Sequence, residues 1–425
     1  MIDAASSPIW HPFTQHALEP EMKRIIKTEG AYLIDETGNR LLDAISSWWV
    51  ITHGHRHPVI MNAICTACET YDQIIFSEYT HEPAHRLAEE LIAMCPPKLK
   101  YVFYSDSGST SVEVALKMAL GFFKNSGKPR SRIIVMEHGY HGDTIGAMSV
   151  GERGIFNTTY EPFLFTVDRC PFPLPGQEQH TLNTFETLCK NRQVAALIIE
   201  PLVLGAGGFK HYPAWVLTEL QRIAESYGTL LIADEVMTGW GRTGSLFACE
   251  QAYIFPDILC TSKGLTGGAL PLAATLCSAN IYEAHLSHDR RKTFFHSSSY
   301  TANPIACAAA LANIEIWKTE PVFERIHSVA SMHHERLSTF RGDKRFSDVR
   351  QIGTIAALEM KAESIGYFST LGPKLRAFFR QKNILIRPLG NVIYLMPPYC
   401  VTPKDLDHAY SAIQEAADRI TSNQL

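Results

Sequence analysis

The sequence predicts an α/β protein: a large domain whose mainly parallel central sheet is covered by helices, plus a smaller α+β domain formed by the two chain ends. Three observations point there. Short, near-continuous apolar runs recur through the middle of the chain, helical patterns fall between several of them, and this alternation stops near residue 305. Strands without polar alternation belong to parallel sheets buried on both faces. The composition permits such a core, since 46% of the 425 residues are hydrophobic and 19% charged, which excludes a disordered or collagen-like chain.

Residues 1–58 do not fit the alternation and are expected to pack with the C-terminal part. Residues 59–304 carry the large domain. Its apolar runs are Tyr101-Val102-Phe103-Tyr104, Arg132 to Met136, Ala195 to Ile199, Leu230 to Ala233, Ile258 to Cys260 and Ala273 to Leu276. Between the first two, Val112, Ala115, Leu116, Ala119, Leu120 and Phe123 recur at helix spacing. In residues 305–425 a helix-like stretch from Ala306 to Trp317 leads to Val349–Gly353, a further helix and Ile384–Pro388, which reads as a small α+β domain.

Several function classes are set aside at this level. The net charge of −4 argues against a nucleic-acid surface. No run approaches the roughly 18 apolar residues that span a bilayer, and the first eight residues lack a basic region followed by an apolar one, so a cytoplasmic protein without a membrane partner is expected. The ten cysteines show no disulfide framework. Cys65 and Cys68 read as two buried, small side chains one helical turn apart. His81-Glu82-Pro83-Ala84-His85 satisfies H-E-x-x-H, yet Pro83 should open the helix and leave His81 outside it, so no metal is expected. Gly239 to Gly244 matches G-x-G-x-x-G, but Asp234 to Thr238 separate it from its strand, and it reads as a glycine-rich loop. His53, His55 and His57 read as a polar loop.

In parallel sheets ligands bind beyond the carboxyl ends of the strands. After the first apolar run comes Ser105-Asp106-Ser107-Gly108-Ser109-Thr110-Ser111, where a glycine among small hydroxyl residues leads into a helix and Thr110 with Glu113 fits a capping box. Helix N-termini offer N–H groups and a positive dipole end to phosphate. Asp234 closes the run at Leu230, and Lys263 follows the run at Ile258 among glycines. An aldehyde cofactor with a phosphate tail and a ring nitrogen needs these three things: an amine, an anion and a phosphate cradle.

On these residues the sequence resembles the class III (ω-type) pyridoxal-phosphate (PLP) aminotransferases over essentially its whole length, and within them the branch that aminates 8-amino-7-oxononanoate in biotin synthesis. The resemblance is carried by Trp10 to Thr14, Ser46-Ser47-Trp48-Trp49, Tyr104 to Ser109, Gly139 to Thr144, Ile232 to Glu235, Gly239 to Gly244, Thr261 to Gly264, and Ile386-Arg387-Pro388-Leu389-Gly390 with Pro397-Pro398-Tyr399. It implies a fold-type I homodimer. It implies that Lys263 joins the cofactor and moves protons, that Asp234 holds the pyridine nitrogen protonated, that Gly108 and Ser109 bind phosphate and that Tyr140 stacks on the ring. Ser298 and Ser299 would reach the phosphate of the other subunit's cofactor. Phe13, Trp48, Tyr140, Asp143, Lys263, Ser297, Arg387 and Tyr394 would line the substrate site, with Arg387 taking the nonanoate carboxylate as a fork. Arg242 would order the glycine-rich loop.

Two departures from relatives that use 2-oxoglutarate sharpen the reading. Ala206 stands in the loop position of their switch glutamate, and Tyr394 stands where their arginine precedes Pro397-Pro398. Phe13 replaces the family's tyrosine, as it can in relatives that take the amine from lysine. The expected donor is S-adenosylmethionine, with lysine as the alternative. Another ω-aminotransferase, an aminomutase of the same fold and a non-enzymatic PLP binder are the competing readings.

Overall fold

A computed structural model describes residues 2–3, 7–18, 21–154, 156–362, 369–422 and 424; Met1 and Ala4–Ser6 of the N-terminal stretch lie outside the described residues. The central sheet has seven strands: β1 (Leu99–Ser105), β2 (Arg132–Met136), β3 (Asp168–Cys170), β4 (Val194–Ile199), β5 (Leu230–Asp234), β6 (Ile258–Thr261) and β7 (Ala273–Ser278), in the spatial order β1-β7-β6-β5-β4-β2-β3. Strand β7 is antiparallel to both its neighbours and all other pairings are parallel, so β1 runs in the same direction as β6. The sheet is therefore mixed through one strand.

Every residue of β4, β5, β6 and β7 is buried. The period of two sends alternate residues to opposite cores. Val135, Ile198 and Ile232 meet Val112, Ala115 and Ala119 of the helix Gly108–Asn125. Ile134, Leu197 and Leu231 meet Leu182, Phe185, Leu217 and Leu220 of the helices Glu178–Lys190 and Ala214–Tyr227. Covering both faces is what makes the strands apolar throughout.

A four-stranded sheet joins the chain's two ends. Ile384–Leu385 pairs in parallel with Arg40–Asp43, which continues antiparallel to Tyr32–Asp35 and then Ile25–Glu29. A separate antiparallel sheet contains Phe346–Ile352, Ile355–Met360 and Val392–Leu395. Among the described residues no helix is long and apolar enough to cross a membrane.

Three local expectations are corrected. The capping box that opens Gly108–Asn125 is formed by Ser107 and Thr110, not by Thr110 and Glu113. Glu113 instead caps the neighbouring helix Ile145–Val150, accepting from Thr144 Oγ1 at 2.6 Å, Gly146 N at 2.8 Å and Ala147 N at 3.3 Å. Several cap-forming side chains stand in a row here, and the helix begins at the one that lets Gly108 enter it. Cys65 and Cys68 are exposed, because Ile60 and Ala67 form the buried face of their helix, Pro58–Cys68. The helix of the H-E-x-x-H motif begins at Glu82 rather than Pro83. His81 is its N-cap, with Nδ1 accepting from Ala84 N at 3.2 Å and Nε2 donating to the carbonyl of Ala302 at 2.7 Å.

Candidate active site

Five strands converge on one cavity at their carboxyl ends. Beyond β1 come Gly108 and Ser109, beyond β2 Tyr140 and His141, beyond β4 Glu200, at the end of β5 Asp234, and beyond β6 Lys263. These residues, with Trp49, Gly142, Val236 and Met237, line a cavity of about 140 Å³. It sits where ligands are expected in open α/β sheets.

Asp234 is buried, and its Oδ2 accepts from His141 Nδ1 at 2.7 Å while Oδ1 accepts from Val236 N at 3.1 Å. A carboxylate only accepts, so the His141 proton on this side is on Nδ1. Lys263 has φ +45°, the left-handed region, and its Nζ lies 4.8 Å from the centroid of the Trp49 ring. The ammonium is ringed by protein although the cavity leaves the side chain partly open. Burial pulls its pKa down to about 8, against the opposing pull of Asp234 and Glu200. Glu200 is buried behind the cavity, where Oε1 accepts from Tyr140 N and Oε2 from Gly205 N, both at 2.9 Å. Burial raises its carboxyl to about 7. Burial and the neighbouring Asp143 carboxylate raise the Tyr140 phenol.

One end of the cavity is the N-terminus of the helix Gly108–Asn125, whose first N–H groups have no partner within the helix, an arrangement suited to an anion. Side chains are excluded there. A Cβ on Gly108 would stand 2.6 Å from Val236 Cγ1, and one on Gly142, at φ +124°, would stand 2.0 Å from Ser109 Oγ. An amine, a histidine-backed carboxylate and this glycine cradle face one space, so the residues present fit PLP.

A second cavity of about 420 Å³ shares Tyr140 and Gly142 with the first and continues past Asp143, Phe156, Ala206 and Leu389. At the Phe156 end stands an aromatic cluster. Phe13 lies 5.7 Å from Trp48 and 6.1 Å from Phe156 between ring centroids. The Arg387 guanidinium lies 5.2 Å over the Trp48 ring and donates to the carbonyl of Phe13 at 2.8 Å. Among the described residues it has no carboxylate partner. The buried Tyr394 hydroxyl accepts from Trp49 Nε1 at 3.0 Å.

Ser297, Ser298 and Ser299 are not brought to either cavity of their own chain. Their loop is tied instead to the turn that precedes the helix Gly108–Asn125, because Ser298 Oγ donates to Asp106. Arg242 is fully buried and donates to the carbonyls of Pro397 at 2.9 Å and Ile51 at 2.7 Å, joining the glycine-rich loop to both chain ends. Trp49, His141 and Glu200 line the site without having been singled out for a role. Glu200 carried a usable signal, since it ends the apolar run at Ile199 as Asp234 ends its own.

Comparison with known proteins agrees with this geometry. The family description Aminotransferase class-III matches residues 15–417. The adenosylmethionine-8-amino-7-oxononanoate aminotransferase of Synechococcus elongatus is 44% identical, over 97% of this chain and 99% of that one. Its counterpart from Anoxybacillus flavithermus is 38% identical over 100% and 97%. The crystal structure of the enzyme of that name from Methanocaldococcus jannaschii superposes with a TM-score of 0.93 at 35% identity, covering 98% of each chain. A PLP-bound amine transaminase from an uncultivated Pseudomonas species gives 0.92 at 30%, covering 98% and 99%. With lysine, aspartate and glycine cradle gathered at the strand ends and likeness running the whole length, this chain belongs to the class-III aminotransferases and is a PLP-dependent transaminase.

Proposed function

We propose that the chain transfers an amino group from S-adenosylmethionine to 8-amino-7-oxononanoate, giving 7,8-diaminononanoate, as a cytoplasmic homodimer. The observation that carries the substrate reading is Arg387: a guanidinium that has no carboxylate partner among the described residues, lying over Trp48 and bonded to the carbonyl of Phe13, whose ring meets Phe156 in the wall of the long cavity. A keto acid with an apolar chain and a distant carboxylate fits that combination. Ala206 and Tyr394 support it, because neither can form the charge pair that 2-oxoglutarate enzymes use. The names of the relatives support the donor.

Bound PLP supplies an aldehyde for amines and a ring that draws electrons from the reacting carbon. Gly108 and Ser109 hold its phosphate through helix N-terminal N–H groups and the serine hydroxyl. Asp234, aimed by His141, holds a proton at the ring nitrogen. Tyr140 covers the ring. Lys263 Nζ, lowered to about 8, is neutral often enough near neutral pH to bond the cofactor and to take and return the proton of the reacting carbon. Phe13, Trp48, Asp143 and Tyr394 shape the substrate space and shield it from water. Ser298 and Ser299 act across the dimer, on the phosphate of the partner's cofactor, and Ser297 beside them lines substrate space.

The deciding experiment titrates the PLP-loaded enzyme with S-adenosylmethionine and, separately, with lysine, following the cofactor's absorption. S-adenosylmethionine alone should discharge the visible band. Discharge by lysine alone overturns the donor assignment and leaves the acceptor reading to the same assay run backwards.

A further inference from the structure

Asn313 lies fully buried on the helix Pro304–Thr319. Its Nδ2 donates to the carbonyls of Gly264 and Leu265, both at 3.1 Å, and its Oδ1 lies 2.9 Å from His53 Nε2. Both carbonyls belong to the short turn Lys263–Thr266. With the amide N–H groups committed to carbonyls, the amide oxygen must accept, so His53 carries its proton on Nε2. Burial holds His53 down to about 3 and therefore neutral.

The turn needs such support. Lys263 sits at φ +45°, where a residue with a side chain is strained, and such strain persists only when the surroundings over-determine it. On the preceding side, Trp240 Nε1 donates to Thr261 Oγ1 at 2.8 Å, and Trp240 packs so closely that a Cβ on Gly264 would fall 2.6 Å from its own. On the following side the two carbonyls are gripped by Asn313.

We propose that Asn313, oriented by His53, is a positioning residue for Lys263: it holds the turn that aims Nζ into the cofactor cavity. This rests on the reading of Lys263 as the residue that bonds PLP. Asn313 touches neither reacting atom, so its effect is on geometry and not on binding of either substrate.

The test strips the full chain of PLP, adds PLP back and follows the growth of the visible band. Asn313→Leu should slow that growth about tenfold or more and lower kcat in step, with the KM of both substrates within about twofold. Asn313→Ser should move both in the same direction and serves where the leucine variant does not fold. His53→Gln, which keeps an N–H donor, should restore near-normal rates, whereas His53→Leu should match Asn313→Leu. The double leucine variant should be no slower than either single one, since both break the same chain of contacts. Unaltered band growth in the Asn313 variants, or losses that multiply in the double variant, overturn the inference alone. A Lys263→Ala chain that still forms the covalent band overturns the lysine reading and the inference with it.

Discussion

Replacing Arg387 with alanine isolates the substrate reading. One guanidinium nitrogen is already given to the carbonyl of Phe13 at 2.8 Å, which fixes the group over Trp48 and leaves its remaining N–H groups for a ligand. A hydrogen bond to a charged group contributes about 1.5–3 kcal/mol net. The half-buried setting places the loss toward the upper part, about 2–3 kcal/mol, or roughly 30- to 150-fold in kcat/KM for the keto acid. The assay compares 8-amino-7-oxononanoate with its methyl ester. The natural enzyme should prefer the acid by that factor, and Arg387→Ala should lose the preference by falling on the acid alone. Arg387→Lys should fall between, since it keeps charge without the planar fork. If acid and ester decline equally, the carboxylate is bound elsewhere and Arg387 only holds the Phe13 segment.

Three further outcomes follow from the geometry. Glu113→Ala should destabilise the chain by about 1–3 kcal/mol, because it removes the one oxygen that accepts from Thr144, Gly146 and Ala147; an unchanged urea midpoint refutes the capping role. Gly108→Ala should weaken PLP binding by about tenfold or more through the 2.6 Å approach to Val236, read by equilibrium dialysis; unaltered affinity means that the cradle yields. The rate of PLP attachment should climb with pH and level off above about 8, because a depressed lysine pKa brings the neutral amine in at lower pH; a climb continuing past 10 refutes the burial of Lys263.

The large sheet was legible because its strands are buried on both faces, so composition alone marks Val194–Ile199 and Leu230–Asp234. Direction was not legible. Nothing in Ala273–Ser278 distinguishes an antiparallel strand from its parallel neighbours, since both are apolar when covered. Asp234 stood out because it closes an apolar run, and Lys263 because it stands among glycines shortly after the next one. The roles of Trp49, His141 and Glu113 were not legible, because their partners Tyr394, Asp234 and Thr144 are distant in sequence and tied to them by no period. The exposed Cys65 and Cys68 show the converse, where residue type suggested burial and the helix phase decided otherwise.

The guanidinium of Arg242 ties carbonyls at positions 51 and 397 to a loop in the middle of the chain. A growing polypeptide can assemble the seven-stranded layer well before Pro397 leaves the ribosome. Until then Arg242 lacks the carbonyl of Pro397 as a partner. Docking of the glycine-rich loop onto both chain ends therefore waits for one of the last segments to be synthesised.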